Sequence, residues 1–433
     1  MTAPIELEGE HGAPRLALDR FALPCGLDVI VHSDLSLPHV AVSVWYEVGA
    51  ADERAGGSGL AHLFEHLFKN SAHLQGRHHY EILRSLGASD ANASTGADRT
   101  SYHQVVPAHQ LEAALWLEAD RMGYFLPTMT EERLAAQQQV VLSERRQRYE
   151  NVPYGADRLA VAAALYPVPH PLGHLVIGHP EHIAAVTLAD VFDFYRTWYV
   201  PSNAHLTLAG AIEPGDARRL VERYFGSFPP SRAPGHAPAP EGDARAGELA
   251  LVDGFARLER THWAWRGPPA RGPEATALEV LASAWATPGV GLLWRRLVYE
   301  EPLAQRVSAW AVAHRRGTEL HVAVDVRGGV DLGRVEDVLQ RELEAARDRP
   351  GDPVAVARVV RRREASALWA LQSVARRAAD LQRHRLWYGD PNGFARDAAR
   401  FRGVTPEGIQ RAAATWLGDG TRITARTRLA ATG

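Results

Sequence analysis

The chain has 433 residues, with 48 Lys and Arg against 51 Asp and Glu and a formal net charge of −3. That length predicts two to three domains, a hydrophobic content of 46% is ample for sizeable cores, and the near-even charge gives no reason to expect nucleic acid or an anionic membrane as a partner. No apolar run reaches transmembrane length, and the single cysteine, Cys25, excludes an internal disulfide and any multi-cysteine zinc site.

Met1 to Arg20 mix Glu, Gly, Pro and His and lack the basic-then-apolar order of a signal segment. The expected compartment is the cytoplasm, with a mature periplasmic chain as the alternative. Leu27 to His32 and Val40 to Val48 read as strands. Gly56, Gly57, Ser58 and Gly59 then form a turn, with Ser58 or Gly59 available as the N-cap of a helix that Asn70 can end.

That helix carries His62-Leu63-Phe64-Glu65-His66. Residues four apart share a helix face, about 6 Å apart along the axis, so two imidazoles can grip one metal ion. Glu65 lies a turn from His62 and beside His66, close enough to take a proton from a water held there. The order is the inverted H-x-x-E-H rather than H-E-x-x-H. With 20 His in the chain the motif also arises by chance, and an amphipathic helix with two surface or capped histidines is the competing reading. Leu60, Leu63, Phe64, Leu67 and Phe68 surround the motif, and a carboxylate buried among imidazoles is costly unless something compensates it.

Val105 and Val106 end another strand, and helices follow near 108–123 and 131–150. In the second, Glu144 shares a face with Leu134 and Val141. A carboxylate there either pairs with Arg145, Arg146 or Arg148 or binds a metal, and spacing does not choose between them. A catalytic zinc needs such a third ligand and keeps a fourth position open. His205 to Gly210 is a late apolar strand. The groups His73, His78, His79 and His170, His174, His179, His182 read as surface or loop residues. Pro169, Pro171 and Gly173 argue against a helix that would pair His170 with His174.

Pro229, Pro230, Pro234, Pro238 and Pro240, with Gly235 and Gly242, read as a stiff polar linker over 229–247. It divides the chain into residues 1–228 and 248–433. Beyond it, strands are expected at Glu248 to Val252 and His262 to Arg266, helices near 273–286 and 291–300, and strands near 306–313 and 319–326. Helices near 332–347, 353–384 and 405–416 follow. Each side runs from strands into helices. The expected fold class is α+β: the order of elements fits two similar domains, without a clear sequence repeat.

Several segments in order resemble the M16 metallopeptidases. They are His62-x-x-Glu65-His66 and, after 77 intervening residues, Glu144 in Val-Val-Leu-Ser-Glu-Arg-Arg. Leu23-Pro24-Cys25-Gly26-Leu27, Asn92-Ala93-Ser94-Thr95, Asp98-Arg99-Thr100 with Tyr102, Glu118-Ala119-Asp120-Arg121-Met122 and Tyr199-Val200-Pro201-Ser202-Asn203-Ala204 also match. The resemblance implies that the two domains are duplicates, each a mainly antiparallel sheet packed with helices. It implies one zinc ion per chain held by His62, His66 and Glu144, with Glu65 as general base. It also implies an edge strand containing Asn92 and Ala93 that pairs with an extended peptide substrate through main-chain hydrogen bonds; the residues alone equally allow Asn92 a place in a turn.

Two departures from the family pattern stand out. A supporting Glu seven residues before the ligand Glu is here Gln137, which can hydrogen-bond but carries no charge. An Arg and a Tyr seven apart, which hold substrate in two-domain relatives, fall on Val298 and Gln305. The expectation is therefore a zinc endopeptidase subunit completed, as a heterodimer, by a homologous partner that carries the Arg/Tyr pair; a homodimer with a diverged pair is the alternative. The other function class is a non-catalytic M16-like subunit used for assembly.

Overall fold

The computed structural model describes residues 12–74, 76–167, 169–238 and 244–430. Met1 to His11, and Pro240 and Gly242 of the expected linker, lie outside the described residues. Along the chain come β1 (Asp19–Ala22), β2 (Asp28–Ser33), β3 (His39–Tyr46), α1 (Leu60–Leu67), α2 (His79–Ser85), β4 (Ser89–Thr95) and β5 (Thr100–Pro107). Then follow α3 (Leu111–Tyr124), α4 (Glu131–Arg145), α5 (Gly155–Leu165), α6 (Pro180–Ala185), α7 (Leu188–Trp198), β6 (Ala204–Gly210) and α8 (Pro214–Phe225). The rest is β7 (Gly247–Asp253), β8 (Arg260–Gly267), α9 (Pro273–Ala286), α10 (Leu292–Trp294), β9 (Ala304–His314) and β10 (Gly317–Val326). It ends with α11 (Leu332–Asp348), α12 (Pro353–Ala370), α13 (Val374–Tyr388), α14 (Phe394–Arg402), α15 (Pro406–Trp416) and β11 (Ile423–Leu429). Among the described residues no helix is long and apolar enough to cross a membrane. The class is α+β.

The first compact unit takes the residues up to Leu142, Val176–Ala237 and Ser366–Arg396. Its six-stranded sheet has the order β1-β2-β6-β3-β5-β4. Strands β2 and β6 run parallel, and the other pairs are antiparallel. Every residue of β6 is buried, as is every residue of β3 after His39. Strands that apolar belong in the middle of a sheet covered on both faces. Helix α13 supplies part of that cover. Its Gln382 amide donates to the carbonyls of His205 at 2.8 Å and Ser43 at 3.3 Å, so a polar side chain in a buried position finds partners. Arg377 on the same helix pairs with Asp34 at 2.5 Å.

The second unit takes Ser143–Leu175, Pro238–Ala365 and the residues from Asp397 onward. Its five-stranded sheet has the order β7-β11-β8-β10-β9, with β7 and β11 parallel and the rest antiparallel. The core on one face gathers Trp265, Leu278, Leu281, Val322, Leu339 and Ile409 from β8, α9, β10, α11 and α15. Helix α5 packs on β7, β8 and β11. There the Asp157 carboxylate meets His262 Nδ1 at 2.7 Å, and His262 Nε2 lies 3.1 Å from His321 Nδ1.

Three findings differ from expectation. The units are not consecutive halves. One division falls at 237/238, inside the expected linker, but 143–175 clusters with the second unit and 366–396 with the first. The single helix expected over 353–384 is two, because the chain turns through Leu371 and Gln372 and restarts at Ser373, whose hydroxyl accepts from the Arg376 N–H. His79 is not a loop residue; it lies in α2, 1% exposed, within 3.8 Å of the buried Glu118 carboxylate.

Candidate metal centre

Helix α1 begins where no side chain can cap it. Its N-cap is Gly59, at φ +92°, and a Cβ there would lie 2.9 Å from Ile183 Cγ1 and 3.0 Å from Gly178 Cα. Only glycine tolerates both the left-handed backbone and the close approach. The neighbouring Ser58 hydroxyl is occupied elsewhere: it lies 2.8 Å from His182 Nδ1 and accepts from the His179 N–H at 2.9 Å. Glu53 satisfies the helix end instead. One carboxylate oxygen accepts from the Gly59 N–H at 2.9 Å and the other from the Ala61 N–H at 2.7 Å. An anion at a helix N-terminus also meets the favourable end of the dipole. Burial works against it and pushes the Glu53 carboxyl up to about 8, against the pull of the two N–H groups.

From this anchored start, Leu63, Phe64 and Leu67 face the core, and Phe64 packs against Phe68, Phe125, Phe194 and Tyr199. The remaining face presents His62 and His66, half-buried, with ring centroids 4.8 Å apart. Helix α4 supplies the third group. It runs unbroken from Glu131 to Arg145, so Glu144 rides on the same rod as the buried Leu134 and Val141. The ligand atoms of His62, His66 and Glu144 all lie within 4.8 Å of one another. Two imidazoles and a carboxylate at that spacing are a donor set that suits zinc. Of the two readings of Glu144, the arginine pair is present, with Arg148 at 2.9 Å, and the same carboxylate stands in the cluster with His62 and His66.

Glu65 is 6% exposed. Its Oε2 accepts from the Thr95 hydroxyl at 2.7 Å, and Lys69 Nζ lies 4.0 Å from its Oε1. Thr95 ends β4, the outer strand of the sheet, which among the described residues pairs with β5 alone. Asn92 and Ala93 lie on that strand, exposed and half-exposed. Asn92 is thus in a strand and not in a turn; the strand is irregular just before it, with Asp90 at φ +49° and a register shift between Ser89 and Asn92. Gln137 sits half-buried on α4, two turns before Glu144. Val298 falls in a widened helical turn, Arg295–Glu300, and Gln305 is an exposed residue at the start of β9. Sequence reasoning missed Glu53. The available signal was a helix start whose N-cap glycine has no side chain to offer.

Comparison with known proteins points to one family. A family model described as "Insulinase (Peptidase family M16)" matches residues 28–167, and one described as "Peptidase M16 inactive domain" matches 185–362. The chain is 33% identical over 190 residues to the zinc protease PqqE of Helicobacter pylori, covering 44% of this chain and 42% of the relative. It is 26% identical over 264 residues to a probable mitochondrial-processing peptidase subunit beta of Arabidopsis thaliana, covering 60% of this chain and 48% of the relative. Each match thus spans less than half of the curated relative. The crystal structure of a protease from Helicobacter pylori superposes with a TM-score of 0.85 at 23% identity, over 96% of this chain and all of that one. The family models and the names of these relatives support a peptidase superfamily. This chain belongs to peptidase family M16.

Proposed function

We propose that the chain is a zinc-dependent endopeptidase subunit that hydrolyses extended, unstructured peptides. The observation that carries this reading is the gathering of His62, His66 and Glu144 within one ligand sphere, next to the buried Glu65. His62, His66 and Glu144 would hold the zinc, one ion per chain. Zinc, when bound, acidifies water and polarises a carbonyl oxygen.

Glu65 accepts the proton of the attacking water and delivers it to the leaving amine nitrogen. The Thr95 hydroxyl holds one oxygen of that carboxylate in place. The outer edge of β4, at Asn92 and Ala93, offers main-chain groups to an extended peptide, which would select for lack of structure more than for sequence. Relatives named zinc protease and mitochondrial-processing peptidase subunit beta support a peptidase, and the second name supports action as a subunit. With Val298 and Gln305 at the positions aligned with the Arg/Tyr pair, a homologous partner would supply that pair.

A non-catalytic assembly role is the second reading, favoured by the match of 185–362 to a domain described as inactive. Elemental mass spectrometry of the purified chain, with and without Glu144→Ala, separates the two. About one zinc per chain, lost or weakened in the variant, is the expected result; no zinc even after supplementation overturns it. Full peptide hydrolysis by the chain alone, with no gain from a homologous subunit, would remove the partner from the proposal.

A further inference from the structure

The first turn of α1 is held by a residue that the zinc chemistry does not use. Three facts converge on Glu53. Its carboxylate uses both oxygens on two N–H groups of one helical turn, Gly59 and Ala61. Ala61 is the residue immediately before His62. The usual local solution, a capping side chain at the N-cap, is blocked by the packing of Gly59 against Ile183 and Gly178.

An unpaired helix start would fray within its first turn, and the first turn of this eight-residue helix carries His62. The two hydrogen bonds constrain both the axial position and the rotation of α1, because the Gly59 and Ala61 N–H groups, two residues apart, sit at different positions around the axis. A single-point cap would fix only one of these. The cost is a buried carboxyl group beside Asp52, which the fold bears where a capping side chain at position 59 is excluded.

We infer that Glu53 is a positioning residue for the metal centre: its two-point grip on the start of α1 sets the placement of His62 relative to His66 and Glu144. The inference rests on the proposed zinc site. Glu53 has no contact with substrate or the reacting atoms in this role and acts only through the helix.

The test is zinc affinity, measured by competition with a chromophoric chelator, for wild type, Glu53→Gln and Glu53→Asp, alongside thermal unfolding of the zinc-free proteins. Glutamine keeps the shape but offers an amide N–H₂ where one backbone N–H needs an acceptor. Zinc binding by Glu53→Gln should weaken about 10- to 100-fold, the range for residues that orient metal ligands. Glu53→Asp, which keeps the carboxyl group but is one methylene shorter, should recover part of the loss. A Glu53→Gln protein that is folded and binds zinc within about twofold of wild type overturns the inference, even if its melting point has dropped, because a merely structural cap lowers stability without changing the affinity of the folded protein. If neither variant folds, amide exchange of wild type decides: the Gly59 and Ala61 amides should exchange more slowly with zinc bound, and unchanged rates overturn the idea. Failure of the wild type itself to bind zinc would instead sink the function proposed above.

Discussion

The two sheets of the molecule are built alike and used differently. In the first unit the order β2-β6-β3-β5-β4 begins with a parallel pair and continues with three antiparallel ones. In the second, β7-β11-β8-β10-β9 repeats that pattern strand for strand. The helix that follows the second strand of the set in chain order, β3 in one unit and β8 in the other, is α1 in the first and α9 in the second. Helix α9 has 14 residues and buries Leu278, Val280, Leu281 and Trp285, with no histidine. Helix α1 has eight residues and gives one face to His62 and His66. The lesson is that one scaffold can carry at the same place either a packed core helix or a short helix that presents candidate metal ligands.

The largest effect should come from moving chemistry between these counterparts. Glu65→Gln is expected to lower kcat on an unstructured peptide by about 10²- to 10⁴-fold, the usual weight of a general base, while zinc content stays at the wild-type level. The matching change in α9, Glu279→Gln, removes half of an ion pair with Arg400 and should leave kcat within about twofold. A peptidase assay on both variants sharpens the comparison, and retained activity in Glu65→Gln breaks it.

Core truncation should be less selective. Leu281→Ala in α9 and Leu63→Ala in α1 each empty a site at most 5% exposed and should each cost about 2–5 kcal/mol. Denaturant titration should show similar losses in the two units, with zinc affinity reduced only by Leu63→Ala.

The smallest difference is in pH response. In the first unit, burial holds His32 down to about 4 from 6.5, assisted by Arg377 and opposed by Asp34. The unfolded chain therefore binds a proton that the fold refuses, and stability from this group is full above 6.5 and is lost as pH falls through 4. In the second unit, burial opposes the charge of Glu319, yet hydrogen bonds from His314 and His321 bring it down to about 2. Its contribution is full above 4.5 and is lost only as pH falls through 2. Stability measured against pH should thus slope between 6.5 and 4, and His32→Asn should remove up to one proton from that slope without touching the region below 4.

Much of this was legible from local pattern. The H-x-x-E-H spacing is an i,i+4 relation, β3 announces itself through Val40, Val42 and Val44, and β6 through Leu206, Leu208 and Ala209. Helix α9 was expected at 273–286 and lies at Pro273–Ala286, because Pro at its first position and Thr287 after its end mark the bounds. Strand β4 reads Ser-Asp-Ala-Asn-Ala-Ser-Thr, poor in strand formers, and came only from resemblance. The break between α12 and α13 was missed because Leu371, Gln372 and Ser373 include neither Gly nor Pro. The crossing of α5 and α13 could not be read at all, since amphipathicity says that a helix must be covered and not by which sheet.

That crossing has a consequence for how the chain can be made. A cut inside the Pro-rich stretch would not release two modules: the leading fragment would lack α13, which belongs on its sheet, and would carry α5, which belongs on the other. During synthesis the first sheet must wait from residue 237 until 396 has been added, roughly 8–32 s at 5–20 residues per second. Until then the buried β3 and β6 are without one of their covering helices. The sheet beside the candidate metal centre is translated before the other and is among the last parts of the fold to be finished.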